Sequence, residues 1–212
     1  MVALANWTAP WLRLFKGQIT PLMLSQPCRT RRPTPEQFSS RAFASHLIWS
    51  GVNKPVHIEL AELLSPGSIK LDLAGNTRDE VLAELVDQIR ELAGQPAARE
   101  TLLRALHERE QLCSTGIGDG IALPHARNAL VGLVNCPLIV FGRHKEGVNF
   151  SAIDGIPTRL FFLLVAPSVT EHLAILARLS RILRNPKLRK ALLAADSPQK
   201  VIALIKDAEA EK

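Results

Sequence analysis

The chain has 212 residues, 47% of them hydrophobic and 22% charged, an ordinary globular balance. Its longest charge-free apolar run, Leu160 to Pro167, is far short of the roughly 20 residues a membrane-spanning helix needs, so no membrane span is expected. The net charge of +6 belongs wholly to residues 1–56, with seven basic residues (Arg13, Lys16, Arg29, Arg31, Arg32, Arg41, Lys54) and one acid, Glu36. Residues 57–212 hold 19 charges of each sign, so they offer no basic footprint for a phosphate backbone and no nucleic-acid partner is expected.

The same cut divides the composition. All three Trp (Trp7, Trp11, Trp49) and six of fourteen Pro precede residue 57. Segment 21–41 is rich in turn-formers and has no apolar periodicity, which predicts a poorly ordered basic extension over 1–56. Its Arg- and Ser-containing, acid-poor character also fits a transit-like segment. Residues 57–212 form the predicted domain, long enough for one core. The three cysteines (Cys28, Cys113, Cys136) form no CxxC pair, and no histidine has metal-ligand spacing, so neither a disulfide framework nor a metal site is indicated.

In chain order, Ile58–Leu64 reads as a short helix stopped near Pro66, and 69–73 alternates as a half-buried strand. Thr77-Arg-Asp-Glu80 is a capping-box signature for a helix burying Val81, Leu82, Leu85, Val86, Ile89 and Leu92, with Gly94 placed to end it. A second helix spans about 97–109. Strands are expected at about 137–142 and 159–165, the latter apolar enough to be buried on both faces. Thr170 is the expected cap of a helix whose inner face is Leu173, Leu176, Leu179, Ile182 and Leu183. Two more helices follow, over 187–194 and from Gln199 to about Ala208, with Ser197-Pro198 opening the last. Together these predict an α/β domain, a central mixed β-sheet flanked by helices.

The densest chemical signal runs from Arg109 to Ala126. Gly116, Gly118 and Gly120 can bring backbone N–H groups together as an anion-binding nest, although the same spacing also suits a mere tight turn. It is neither a dinucleotide fingerprint nor a P-loop. His125, fixed by Pro124, is a candidate nucleophile with a second ring nitrogen to be oriented, although a lone histidine is more often a structural residue. Arg109 offers a guanidinium fork for phosphoryl oxygens, or else a solvated helix end. His172 lies in a helical first turn, where the dipole keeps a ring neutral and attracts anions.

Ser114-Thr-Gly-Ile-Gly-Asp-Gly-Ile-Ala-Leu-Pro-His125 resembles the signature of the type-2 enzyme IIA domain of the bacterial phosphoenolpyruvate-dependent phosphotransferase system. The resemblance runs from about 58 to 209, through the Leu-Asp-Leu stretch 71–73, His107-Glu-Arg-Glu110, Asp154-Gly155 and Glu171-His172-Leu173, and is greatest toward the nitrogen-regulatory branch. It implies a cytoplasmic phosphocarrier, without cofactor, in which His125 takes a phosphoryl group from a histidine phosphocarrier protein. Arg109 and His172 match positions lining the phosphorylation site, and Ser114, Thr115, Gly116 and Gly118 are the expected phosphate-binding residues. Cys113 departs from the family pattern, which has a small residue there.

Three readings stay open from sequence. The chain is a regulatory phosphocarrier acting on target proteins, a sugar-specific subunit passing phosphate to a separate IIB, or a non-catalytic protein-binding module.

Overall fold

The computed structural model describes residues 58–126 and 132–211. The extension expected over 1–56 lies outside the described residues.

The first elements are 3₁₀ turns at Leu60–Leu63 and Pro66–Ser68, followed by strand β1 (Ile69–Lys70). Only two residues of the alternating stretch pair as strand, although the Leu73 N–H still reaches the Arg143 carbonyl at 2.9 Å. Helix α1 (Arg78–Val86) starts from the expected capping box. The Glu80 N–H donates to Thr77 Oγ1 at 3.3 Å, and Glu80 Oε2 accepts from the Thr77 N–H at 3.2 Å. It ends earlier than the periodicity predicts: Ile89 is extended (φ −82°, ψ 105°), and a 3₁₀ turn at Arg90–Leu92 follows. The break still buries Ile89 and Leu92, in one cluster with Leu102 and Leu106, and Gly94 closes the turn at φ +74°. Helix α2 (Pro96–Leu112) runs about one turn further than expected, so Glu110 belongs to it along with Arg109.

A short hairpin follows, strands β2 (Gly116–Gly118) and β3 (Ile121–Ala122), then the long strands β4 (Leu138–Val148) and β5 (Thr158–Val165). Helices α3 (Val169–Ile182), α4 (Pro186–Ala194) and α5 (Pro198–Ala210) complete the domain. The cap of α3 is Ser168, not Thr170: its Oγ accepts from the Glu171 N–H at 3.3 Å and donates to Glu171 Oε2 at 2.5 Å. The start moves by two residues but the expected face is largely kept: Leu179, Ile182 and Leu183 are buried and Leu176 packs against the same cluster. The buried residues within α3 are Ile175, Leu179 and Ile182, with i, i+4, i+7 spacing, while Leu173 is 60% exposed rather than inward.

The sheet is five-stranded and mixed, in the order β1-β4-β5-β3-β2. β1 is parallel to β4 and β3 to β5, while β4–β5 and β2–β3 are antiparallel. The pleat divides the core in two. Ile139, Phe141, Leu160, Phe162 and Leu164 face a cluster with α3, α4 and α5, whereas Val140, Phe161, Leu163 and Val165 face one with α1 and α2. β5 is thus buried on both faces, as its continuous apolar run predicts. Each fully buried Leu or Phe contributes about 1.5–3 kcal/mol of apolar burial, so this sheet is the rigid support for whatever stands at its edge.

The ends of the domain are joined. Glu209 of α5 accepts from the N–H groups of Leu60 (2.9 Å) and Ala61 (3.1 Å), and Arg178 of α3, 3.6 Å from Glu209, donates to the Ile58 carbonyl.

Candidate functional site

Three of the residues singled out in sequence converge beyond the carboxyl ends of the parallel strands β3 and β5, where open α/β sheets present their sites. Past β3 the chain stays extended: the Leu164 N–H donates to the Pro124 carbonyl at 2.9 Å, and His125 forms a parallel bridge with Leu164. His125 is therefore held by the most deeply buried strand. Arg109 reaches it from the last turn of α2, and His172 from the fourth position of α3.

The two nitrogens of His125 have different partners. Nδ1 lies 2.7 Å from the Leu123 carbonyl oxygen. A carbonyl only accepts, so Nδ1 carries the proton and Nε2 keeps its lone pair. Nε2 accepts the Arg109 Nε–H at 3.3 Å, and Arg109 Nη1 donates to the Cys113 carbonyl at 2.6 Å. The His172 ring centre is 5.2 Å from that of His125, tilted by 57°.

Burial is the main cause that holds the His125 pKa below its ordinary value, and the charges of Arg109 and a protonated His172 add to it, against the Leu123 hydrogen bond. Burial likewise lowers the His172 pKa. The site thus favours two neutral imidazoles beside one permanent cation, an arrangement able to receive an anionic electrophile at Nε2.

The glycine turn is elsewhere. Asp119 and Gly120, both at positive φ (55° and 73°), form the tip of the β2–β3 hairpin. Gly118 pairs with Ile121, whereas His125 lies four residues further along the strand, on the order of 13 Å away. The tip is fastened internally: Asp154 accepts from the Asp119 N–H at 2.7 Å and the Ile156 N–H at 3.1 Å, and Arg189 pairs with Asp119 at 3.2 Å. The expectation of an N–H nest next to His125 is corrected accordingly, because strand register carries the turn to the other end of β3. Gly116 meets a different demand, since a Cβ there would lie 2.8 Å from Ala152 Cβ and 3.0 Å from its Cα.

Ser114, Thr115 and Gly116 are also turned inward. Ser114 Oγ donates to the Phe150 carbonyl at 2.5 Å and accepts the Gly116 N–H at 3.0 Å. The Thr115 N–H and hydroxyl both go to the Glu110 carboxylate, the N–H at 3.1 and 3.3 Å from its oxygens. Glu110 itself was not singled out in sequence, yet it is 4% exposed. The signal was available: Leu102, Leu106 and Glu110 fall at i, i+4, i+8 on one helix, a carboxylate on the buried stripe.

Comparison with known proteins agrees with this arrangement. The family described as "Phosphoenolpyruvate-dependent sugar phosphotransferase system, EIIA 2" matches residues 62–208. The chain is 39% identical over 150 residues to the PTS system fructose-specific EIIABC component of Bacillus subtilis, spanning 70% of this chain but only 23% of that protein. It is 32% identical over 152 residues to a nitrogen regulatory protein of Bradyrhizobium diazoefficiens, 69% of this chain and 94% of that one. The crystal structure of nitrogen regulatory protein IIA-Ntr from Neisseria meningitidis superposes with a TM-score of 0.61 at 31% identity, covering 68% of this chain and 97% of that one. A mixed sheet with helices on both faces, the motif ending at His125 and these likenesses have one reading: the chain belongs to the type-2 EIIA family of the phosphoenolpyruvate-dependent phosphotransferase system, whose members are phosphotransfer carriers.

Proposed function

We propose that His125 is the phosphoryl acceptor, through Nε2, and that the donor is a histidine phosphocarrier protein in the cytoplasm. The observation that carries this reading is the Nδ1 hydrogen bond to the Leu123 carbonyl, which leaves the Nε2 lone pair facing Arg109. Attack by that lone pair forms the new N–P bond as the donor's N–P bond breaks, and the donor nitrogen keeps the electron pair. The His125 ring retains its Nδ1 proton and gains positive character, which strengthens its bond to Leu123. Phosphoryl transfer asks for positioning and charge stabilisation more than covalent machinery, and no metal or cofactor enters this step. Arg109 supplies donors for the phosphoryl oxygens, and neutral His172 a nearby hydrogen-bonding ring. Ser114, Thr115, Gly116 and Gly118 contribute through the shape of the hairpin that supports His125.

Exposed apolar side chains on the same two helices, Leu112 on α2 and Val169 and Leu173 on α3, favour a protein donor over a small molecule. The nitrogen regulatory likeness, over 94% of the Bradyrhizobium diazoefficiens chain, supports a regulatory role in which the phosphorylation state selects target proteins. Adding about −2 charge beside Arg109 reverses the local potential, enough to accept or reject a partner. The fructose-specific likeness supports a second reading, transfer onward to a separate IIB.

The test is intact mass after incubation with phosphoenolpyruvate, the general phosphotransferase enzyme and the carrier protein. One phosphoryl group, labile in acid and stable in base, is expected on the wild type and none on His125→Ala. Phosphorylation of the folded His125→Ala protein would overturn the assignment. Efficient onward transfer to a sugar-specific IIB would decide for the second reading.

A further inference from the structure

The last turn of α2 reaches both nitrogens of His125, but by different routes. Arg109 meets Nε2 directly. The neighbouring Glu110 points into the core, where its carboxylate takes the N–H and hydroxyl of Thr115. The Thr115 carbonyl accepts the Leu123 N–H at 3.0 Å, and the Leu123 carbonyl accepts His125 Nδ1–H at 2.7 Å. We propose that Glu110 is a positioning residue for phosphoryl transfer, fixing the tautomer of His125 through Thr115 and Leu123. The inference rests on the reading of His125 as the acceptor.

The position of Thr115 makes the fastening necessary. β2 begins only at Gly116, and α2 ends at Leu112, so three residues alone span from helix to strand. The Thr115–Leu123 bond is the outermost rung between β3 and the edge strand β2, where a ladder frays first. If it opened, the β5 contacts of Pro124 and His125 alone would fix the chain here, and the Leu123 carbonyl, in the peptide unit between Leu123 and Pro124, would be held less firmly as the acceptor that marks Nδ1 as the protonated nitrogen. Nε2 would then carry the proton in part of the molecules and be no nucleophile. Burying a carboxylate is costly unless it is fully hydrogen-bonded, and among the described residues no cation pairs with Glu110. A leucine there would continue the stripe of Leu102 and Leu106 without that cost. What leucine cannot do is hold both donors of Thr115.

The experiment uses the full chain, unphosphorylated, at pH 8, and reads the His125 ring directly by imidazole ¹⁵N–¹H correlation. Variants are Glu110→Gln, Thr115→Val, which removes the hydroxyl at nearly constant volume, and Thr115→Ser, which restores it. Wild type and Thr115→Ser are expected to show Nδ1–H alone. Glu110→Gln and Thr115→Val are expected to show a mixture with Nε2–H, and to accept the phosphoryl group about 10–100-fold more slowly with an unchanged final mass, the usual scale for losing a residue that orients an imidazole. Nδ1–H alone in both Glu110→Gln and Thr115→Val would overturn the proposal, as would slowing in Thr115→Ser equal to that in Thr115→Val. Should Glu110→Gln fail to fold, Thr115→Val against Thr115→Ser still decides. Should wild type accept no phosphoryl group, the reading of His125 as acceptor fails, while the tautomer spectra still report on Glu110.

Discussion

The Nε–H of Arg109 points at Nε2 of His125 across 3.3 Å, longer than the usual 2.9–3.0 Å of an N–H···O bond, while Nη1 of the same guanidinium is held at 2.6 Å by the Cys113 carbonyl. The resting contact is thus a weak one on the very lone pair that would take phosphorus. It discourages a proton at Nε2, since a permanent cation faces it. In the proposed transfer the same Nε–H needs to move only from the nitrogen to a phosphoryl oxygen, with the Cys113 carbonyl still anchoring the fork.

Arg109→Ala is expected to slow phosphoryl acceptance on the order of 100-fold, the typical effect of removing one preorganised electrostatic stabiliser. The pKa of His125 is expected to rise at the same time, because one of the causes that lower it is gone. Arg109→Lys should keep part of the charge effect but lose the fork. Stopped-flow transfer rates and an NMR titration of His125 check both. An unchanged rate would leave Arg109 a bystander.

Acidification should destabilise the protein through His125 and His172. Both have folded-state pKa values below the ordinary one, so the unfolded chain binds protons first as pH falls. Their contribution is fully present above about pH 6.5, the unfolded value, and is lost as pH drops toward the folded values. Urea unfolding from pH 8 to 5 should show this slope, reduced in His125→Ala. The acid limb of the acceptance rate should fall below pH 6.5, since His125 stays neutral longer than a free imidazole.

Gly116→Ala should cost about 1–3 kcal/mol of stability, the usual penalty of overpacking, because its Cβ would meet both Cβ and Cα of Ala152. Urea denaturation at pH 8 measures it. Stability equal to wild type would mean that β2 and the Ala152 segment part freely.

A chain of residues 57–212 is expected to unfold within about 2 °C of the full chain, a shift worth less than about 1 kcal/mol at this size, and to accept phosphate at the same rate. Differential scanning calorimetry of both lengths checks it. A large drop would assign a stabilising role to residues 1–56.

What sequence disclosed followed how local the cause was. Thr77 and Glu80 are three residues apart and make their capping box without help, so the start of α1 was legible. Its end was not, because Ile89 and Leu92 keep helical spacing while their burial with Leu102 and Leu106 is achieved by a turn. At α3 two hydroxyl residues competed for the cap. The glutamate three positions after Ser168 was the deciding clue for the cap, and of the expected inner face Leu173 alone, near the start of the helix, stands exposed. The glycines announced a turn correctly, but its distance from His125 depends on the pairing of Ile121 with Leu160 and His125 with Leu164, which no local pattern contains. Likewise Arg109, His125 and His172 are brought together by helix and strand placement. Motif resemblance identified them; spacing alone did not.

The bond from Glu209 to the backbone of Leu60 and Ala61 has an architectural consequence. The first and last turns of this domain leave it side by side, 148 residues apart in sequence and one hydrogen bond apart in space. A unit with neighbouring ends can be spliced into a longer polypeptide at a single junction, since neither flank has to travel around the body. Such a unit is a portable cassette. The matching stretch in the Bacillus subtilis relative, 23% of a much longer chain, is a use of the fold that this geometry readily permits.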